Sequence, residues 1–296
     1  MADEHTTEWI WRQIAVRIPS DWECLQFSRE PDAGRCAFAD RRRFRVELNW
    51  RRFKSEPDFE RMLKDYASSL EATWKNIKTV TCRSWPGLTG RREHETVSRY
   101  GRYFDEIGVL VEVVFIHETR RDEALEARVL HTVRPVVPDA DGLQQWRAFG
   151  MDIRVPQQFT LEECVVEPAR VGMRFDGPRK PDRRIFRRYG MVDAWLKQPV
   201  RDWLADQADV AARELRPESV TRGNIAIERL NGLWKPRGLL LPRGRYASSA
   251  WKDPGDGRLY QAICITGKRR AALHPKNGAD EVMKSCPEFL VIPERQ

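Results

Sequence analysis

The sequence predicts an α+β protein of two tandem domains, each an antiparallel sheet packed against a long helix and a short C-terminal helix. Three observations predict it. Segments of the first half recur, in order, in the second. Each half holds one stretch whose apolar residues follow helical spacing. The other apolar runs have the length of strands, with short turns such as Asp253-Pro-Gly-Asp-Gly257 between them. Runs of strands with a helix to one side belong to the α+β class.

The recurrence starts near the beginning. Arg17-Ile-Pro19, two polar residues and Trp22 match Arg154-Val-Pro156, two glutamines and Phe159. Gly34 to Asp40 lies opposite Gly172 to Asp176. Phe44 to Trp50 lies opposite Ile185 to Val192. Six such matches in one order point to duplication.

In the first half Pro57 sits at a predicted helix start, where a missing N–H costs nothing. Phe59, Met62, Leu63, Tyr66, Leu70 and Trp74 then make one helical stripe. In the second half Pro199 takes that place. Val200, Trp203, Leu204, Ala208, Ala211 and Leu215 form the stripe, and Pro217 stops it. Strands follow each helix: Leu88-Thr-Gly90 matches Leu230-Asn-Gly232. The buried strands Val109–Ile116 and Leu259–Ile265 correspond, and short helices over 123–133 and 278–286 close the copies. The copies are expected at 1–137 and 143–296, with a linker at 138–142.

Composition narrows the function classes. Of 296 residues, 41% are hydrophobic and 32% charged, enough apolar material for packed cores. The net charge of +8 permits acidic partners, but the basic runs are short and there is no basic tail. Residues 1–19 lack the apolar core of a secretory leader. No apolar stretch reaches membrane-spanning length. The six cysteines form no CxxC pair, so a cytoplasmic protein with reduced, mostly buried thiols is expected.

No catalytic or metal motif is legible. The five histidines are scattered without HxxxH or HExxH spacing. GxSxG and the glycine-rich phosphate loops are missing. Cys24 and Cys164 are expected as structural thiols on strands. The pairs Glu162-Glu163 and Asp105-Glu106 are sequence neighbours, which on a strand would face opposite ways. No catalytic residue, metal or cofactor is assigned.

Eleven tryptophans stand out. Trp50, Arg51, Arg52, Trp85, Trp234, Lys235 and Trp251 are the candidate interface, since Trp and Arg anchor many protein contacts.

The Arg17-Ile-Pro-x-x-Trp22 strand, the helix from Phe59 to Trp74, the Gly90-Arg-Arg-Glu93 turn and the strand 109–116 resemble the PsbP/Mog1-like superfamily. They look most like its bacterial branch, which includes chaperones of type VI secretion effectors. That resemblance implies binding and supplies no catalytic motif. The expected function is a non-enzymatic, intracellular, protein-binding adaptor or chaperone-like module. It would use a pseudo-twofold surface to hold an apolar or membrane-destined segment of another protein. The alternatives are an enzyme with a pocket at the domain junction, or a nucleic-acid binding protein. The second fits less well, because no RNP-type signature is present.

Overall fold

A computed structural model describes residues 5–236 and 243–267. The chain divides into two compact units. The first is residues 1–137 with Trp146–Ala148, and the second is residues 138–145 with 149–296.

The first unit opens with β1 (Thr6–Trp11) and β2 (Ile14–Pro19), an antiparallel hairpin. Then come β3 (Glu23–Phe27), β4 (Ala33–Ala39), β5 (Phe44–Arg52), α1 (Phe59–Leu70), β6 (Lys75–Cys82), β7 (Trp85–Arg92) and β8 (Glu95–Phe104). A 3-10 turn over Asp105–Ile107 leads into β9 (Val109–His117), α2 (Glu123–Thr132) and β10 (Arg134–Pro135). Strands β3 to β9 form one antiparallel sheet in the order β3-β4-β5-β9-β8-β7-β6. Strand β10 pairs with β2.

Every residue of β9 except Glu112 is buried, because β9 lies between β5 and β8 and both its faces are covered. That is why its sequence is a nearly unbroken apolar run. The edge strand β6 is mostly exposed and carries Lys75 and Lys78. Charges on an edge discourage pairing with another chain.

β11 (Leu143–Ala148) contributes its last three residues to the first unit, where Arg147 is the register partner of Ile10. In the second unit follow β12 (Met151–Pro156), β13 (Thr160–Glu167), β14 (Arg170–Asp176), β15 (Arg183–Tyr189), α3 (Val192–Trp195) and α4 (Val200–Asp206). The last described strands are β16 (Ala212–Arg222), β17 (Ile225–Trp234), β18 (Gly244–Lys252) and β19 (Leu259–Gly267). Their sheet order is β13-β14-β15-β19-β18-β17-β16. As in the first unit, three strands precede the helical segment, four follow it, and the last strand sits in the middle.

The α+β expectation is overturned. Nineteen strands stand against four α-helices and one 3-10 turn among the described residues, so the fold is predominantly antiparallel β. Among the described residues no long helix covers either sheet. α1 stops at Leu70, where the Thr73 and Trp74 amides turn back to the Leu70 carbonyl. Trp74 packs instead with Val97 and Val114. Its N-cap is Asp58, not Pro57; the Asp58 side chain accepts from the Arg61 amide. The predicted second helix breaks after Asp206. Ala212 to Leu215 belong to β16, and Pro217 lies inside that strand. Proline is tolerated there because β16 is an edge strand and pairs only with β17. The helical spacing beyond Asp206 is therefore coincidental, and strand pairing overrides it. Gly90 to Arg92 lie within β7, so the turn falls one step later, at Glu93 and His94. Helix 123–133 is α2. The helix expected over 278–286 lies outside the described residues.

Candidate functional site

Strand register gives each sheet face a common coordinate system. On the first sheet Leu88 pairs with Arg99, and Gly101 with Glu112. On the second, Leu230 pairs with Ser248, and Ala250 with Gln261. Leu88, Gly101 and Leu110 therefore hold the positions of Leu230, Ala250 and Leu259. These two patches are covered very differently.

In the second unit, Trp203 and Leu204 of α4 are buried in one core with Leu230, Ala250 and Leu259. Burying such side chains contributes roughly 1.5–3 kcal/mol each. In the first unit, α1 lies over the same patch with none of its twelve residues buried. Phe59, Met62, Leu63 and Tyr66 face the sheet only half-buried. A cavity of about 30 Å³ remains between this stripe and Leu88, Gly101 and Leu110, enough for one water molecule.

A polar group forms the floor of this cleft. Asn49 donates to Glu112 at 3.1 Å, and Arg99 lies 3.4 Å from the same carboxylate. The Arg99 guanidinium also lies over the Tyr66 ring, 4.5 Å from its centre. Burial pushes the Glu112 carboxyl above its ordinary range, and the opposing pull of Arg99 and Asn49 does not fully cancel it. At the equivalent positions the second unit has Arg187 donating to Gln261. The cleft with its carboxylate thus belongs to the first unit alone.

A second polar cluster pins α2 to the sheet. Glu126, fully buried, accepts from the Tyr100 hydroxyl at 2.7 Å, His117 Nε2 at 2.9 Å and Arg121 Nε at 2.7 Å. A carboxylate can only accept, so His117 carries its proton on Nε2. Burial would raise the Glu126 pKa, but donors from His117, Tyr100, Ser98 and Arg121 outweigh it and hold the group below normal. Burial and the nearby Glu126 charge raise the Cys82 thiol, which keeps it protonated and unreactive at neutral pH. The arrangement is saturated and closed, and it ties elements together without offering an open reacting position. His94 is exposed in the β7–β8 turn.

The candidate interface residues divide. Trp50, Trp85 and Trp251 are 3%, 1% and 3% exposed. They are interior side chains, a correction to the interface reading. Trp50 donates its indole N–H to the Glu30 carbonyl, and Trp251 stacks on Tyr260. Arg51 and Arg52 are exposed at the end of β5. Trp234 and Lys235 are half-buried, with Lys235 bound to Glu214. The seven residues do not form one patch on one unit. The predicted helical stripe ends in Trp74, which lies beyond α1, so α1 itself carries no tryptophan, whereas α4 carries the buried Trp203.

No disulfide joins Cys24, Cys36, Cys82, Cys164 and Cys264 to one another. No group of three or more His, Cys, Asp or Glu able to hold a metal occurs among the described residues. No helix among them is long and apolar enough to cross a membrane.

No family model matches the sequence, and no curated protein matches it. A solved structure from Bacteroides thetaiotaomicron VPI-5482 matches at 10% identity, over 46% of this chain and 50% of that one, with a TM-score of 0.29. The chain thus spans half the length of that neighbour, and the superfamily resemblance is carried only by the residues quoted for it.

Proposed function

We propose that the chain is a non-enzymatic protein-binding module whose first unit takes an amphipathic helical segment of a partner onto the sheet face now covered by α1. The observation that supports this most is the contrast between the two units. The same register patch is sealed by Trp203 in one and lightly covered by a helix without buried residues in the other.

The chemistry of the patch favours a helix. It already holds one, with apolar side chains at positions i, i+3, i+4 and i+7. A partner helix of the same pattern would gain the burial that α1 leaves incomplete and would cover Leu88 and Leu110 again in its place. The Glu126 cluster is saturated, so at that place an enzymatic reading finds no open acid, base or nucleophile.

The test uses a fluorescently labelled peptide of residues 57–73 and the full chain, read by anisotropy. Saturable binding is expected, and a control peptide with Ser at the Phe59, Met62, Leu63 and Tyr66 positions should not bind. Absence of binding, or equal binding of the control, overturns the reading.

A further inference from the structure

Position Trp50 of the first sheet and position Arg188 of the second are equivalent: Trp50 pairs with Val111 on β9, and Arg188 with Tyr260 on β19. In the first unit the indole fills its place and is buried. In the second the position opens into a solvent-connected cavity of about 580 Å³, bordered by Pro168, Arg188, Met191, Val192, Asp256 and Arg258. That volume lies in the range of small-molecule sites.

Two guanidiniums converge here. The Phe149-Gly150 turn has φ of 52° and 71°, so both residues are left-handed and the hairpin is tight. Arg188 lies directly over the Gly150 Cα. A Cβ on residue 150 would collide with the Arg188 guanidinium and would stand 3.4 Å from that of Arg258. Arg258 has a partner, the Asp256 carboxylate at 3.6 Å, and Asp256 also accepts from the Tyr260 hydroxyl at 2.7 Å. Among the described residues Arg188 has neither a hydrogen bond nor an ion pair, and Tyr260 and the Asp256 carboxylate act on its charge only from longer range. Burial first, and the neighbouring Arg258 second, weaken its hold on its proton. An unpaired, half-buried cation facing a like charge is unfavourable for the empty fold, so its retention calls for a compensating anion.

We propose that this cavity binds a small organic monocarboxylate. Arg188 and Arg258 clamp its carboxylate, and its apolar body lies against Pro168, Met191 and Val192. The charge balance selects a monoanion. Asp256 offsets one guanidinium, and Asp193 at the rim is paired with Lys252 at 2.5 Å, which leaves one positive charge uncompensated. Arginine suits the task because its planar fork matches a carboxylate with two parallel N–H···O bonds. Met191, 70% exposed and itself left-handed at φ 48°, is held at the mouth of the cavity where a flexible apolar side chain can fold over a ligand. This site is independent of the helix-binding reading and stands or falls without it.

The experiment titrates the full chain with benzoate, phenyl phosphate and benzyl alcohol, read by calorimetry and by thermal melting. Benzoate is expected to bind saturably and raise Tm, since a ligand that binds only the folded state stabilises it. Benzyl alcohol should bind at least tenfold more weakly. Arg188→Met should lower benzoate affinity at least tenfold while raising the Tm of the unliganded protein, the opposite of what a structural arginine would do. Arg258→Gln should lose affinity as well. The proposal is overturned if benzoate shows no saturable binding at millimolar concentration, if benzyl alcohol binds equally, if phenyl phosphate binds more tightly than benzoate, or if Arg188→Met lowers the Tm of the free protein or leaves benzoate binding unchanged.

Discussion

The Tyr100 hydroxyl donates to Glu126 at 2.7 Å and joins β8, in the heart of the first sheet, to α2. His117 and Arg121 close on the same carboxylate. At the register positions of Tyr100 and His117 the second sheet has Ser249 and Thr266, so this tie is private to the first unit.

Removing Glu126 should therefore be severe. Glu126→Ala is expected to destabilise the first unit by about 3–5 kcal/mol, because it leaves the buried His117 and Tyr100 without their acceptor and the half-buried Arg121 with only Glu123 as counter-charge. The sign of the pH effect follows from the lowered pKa of Glu126. Its stabilisation is present above the carboxylate's ordinary range and is lost as pH falls through the lower folded value. Urea melts of wild type and variant should converge toward acid pH; a constant gap down to the lowest folded pH would refute the account.

Cys82 supplies an independent readout of the same charge. Burial and Glu126 raise the thiol's pKa, so alkylation of the native protein at pH 7 should be slower at Cys82 than for an ordinary exposed cysteine. Glu126→Gln removes the repelling charge and should speed the reaction. Mass spectrometry after a timed iodoacetamide pulse measures both, and an unchanged rate in the variant would show that burial alone controls the thiol.

The two helices at the same place in the two sheets should respond unequally to truncation. Trp203→Ala empties a packed position and is expected to cost about 3–5 kcal/mol. Phe59→Ala, on a helix with no buried residue, should cost about 1 kcal/mol or less. Amide exchange gives the same contrast: α1 should exchange well before β9. If Phe59→Ala matches Trp203→Ala in denaturant melts, α1 is an ordinary core helix.

Glu112 tests the floor of the α1 cleft. A folded pKa raised above the unfolded one means that ionisation opposes folding, so stability declines as pH rises through that interval. Glu112→Gln should remove this decline and raise Tm at pH 7 by about 2 °C, with no gain at pH 4. A loss of stability at pH 7 would mean that the Arg99 and Asn49 contacts outweigh the burial cost.

Some of this was legible in the chain. The matched segments Leu88-Thr-Gly90 and Leu230-Asn-Gly232 fall on β7 and β17, and the apolar runs at 109–116 and 259–265 fall on the central strands β9 and β19. Those runs are readable because a strand covered on both faces needs apolar side chains throughout. The helical stripe through Leu215 misled, because spacing over a few residues fits a helix and a bulged strand alike. Register with β17 decided the matter.

The amino-acid order alone determined the recurrence, the positions of the central strands, the start of each helix near Pro57 and Pro199, and the missing catalytic and metal motifs. These are local properties, written in the types and spacings of neighbouring residues. The tertiary structure decided that the class is predominantly β, that Trp50, Trp85 and Trp251 face inward, that Glu126 collects its donors from three segments, and that Arg188 and Arg258 meet over Gly150. Each of those joins residues far apart in the chain, and only sheet pairing fixes which of them become neighbours.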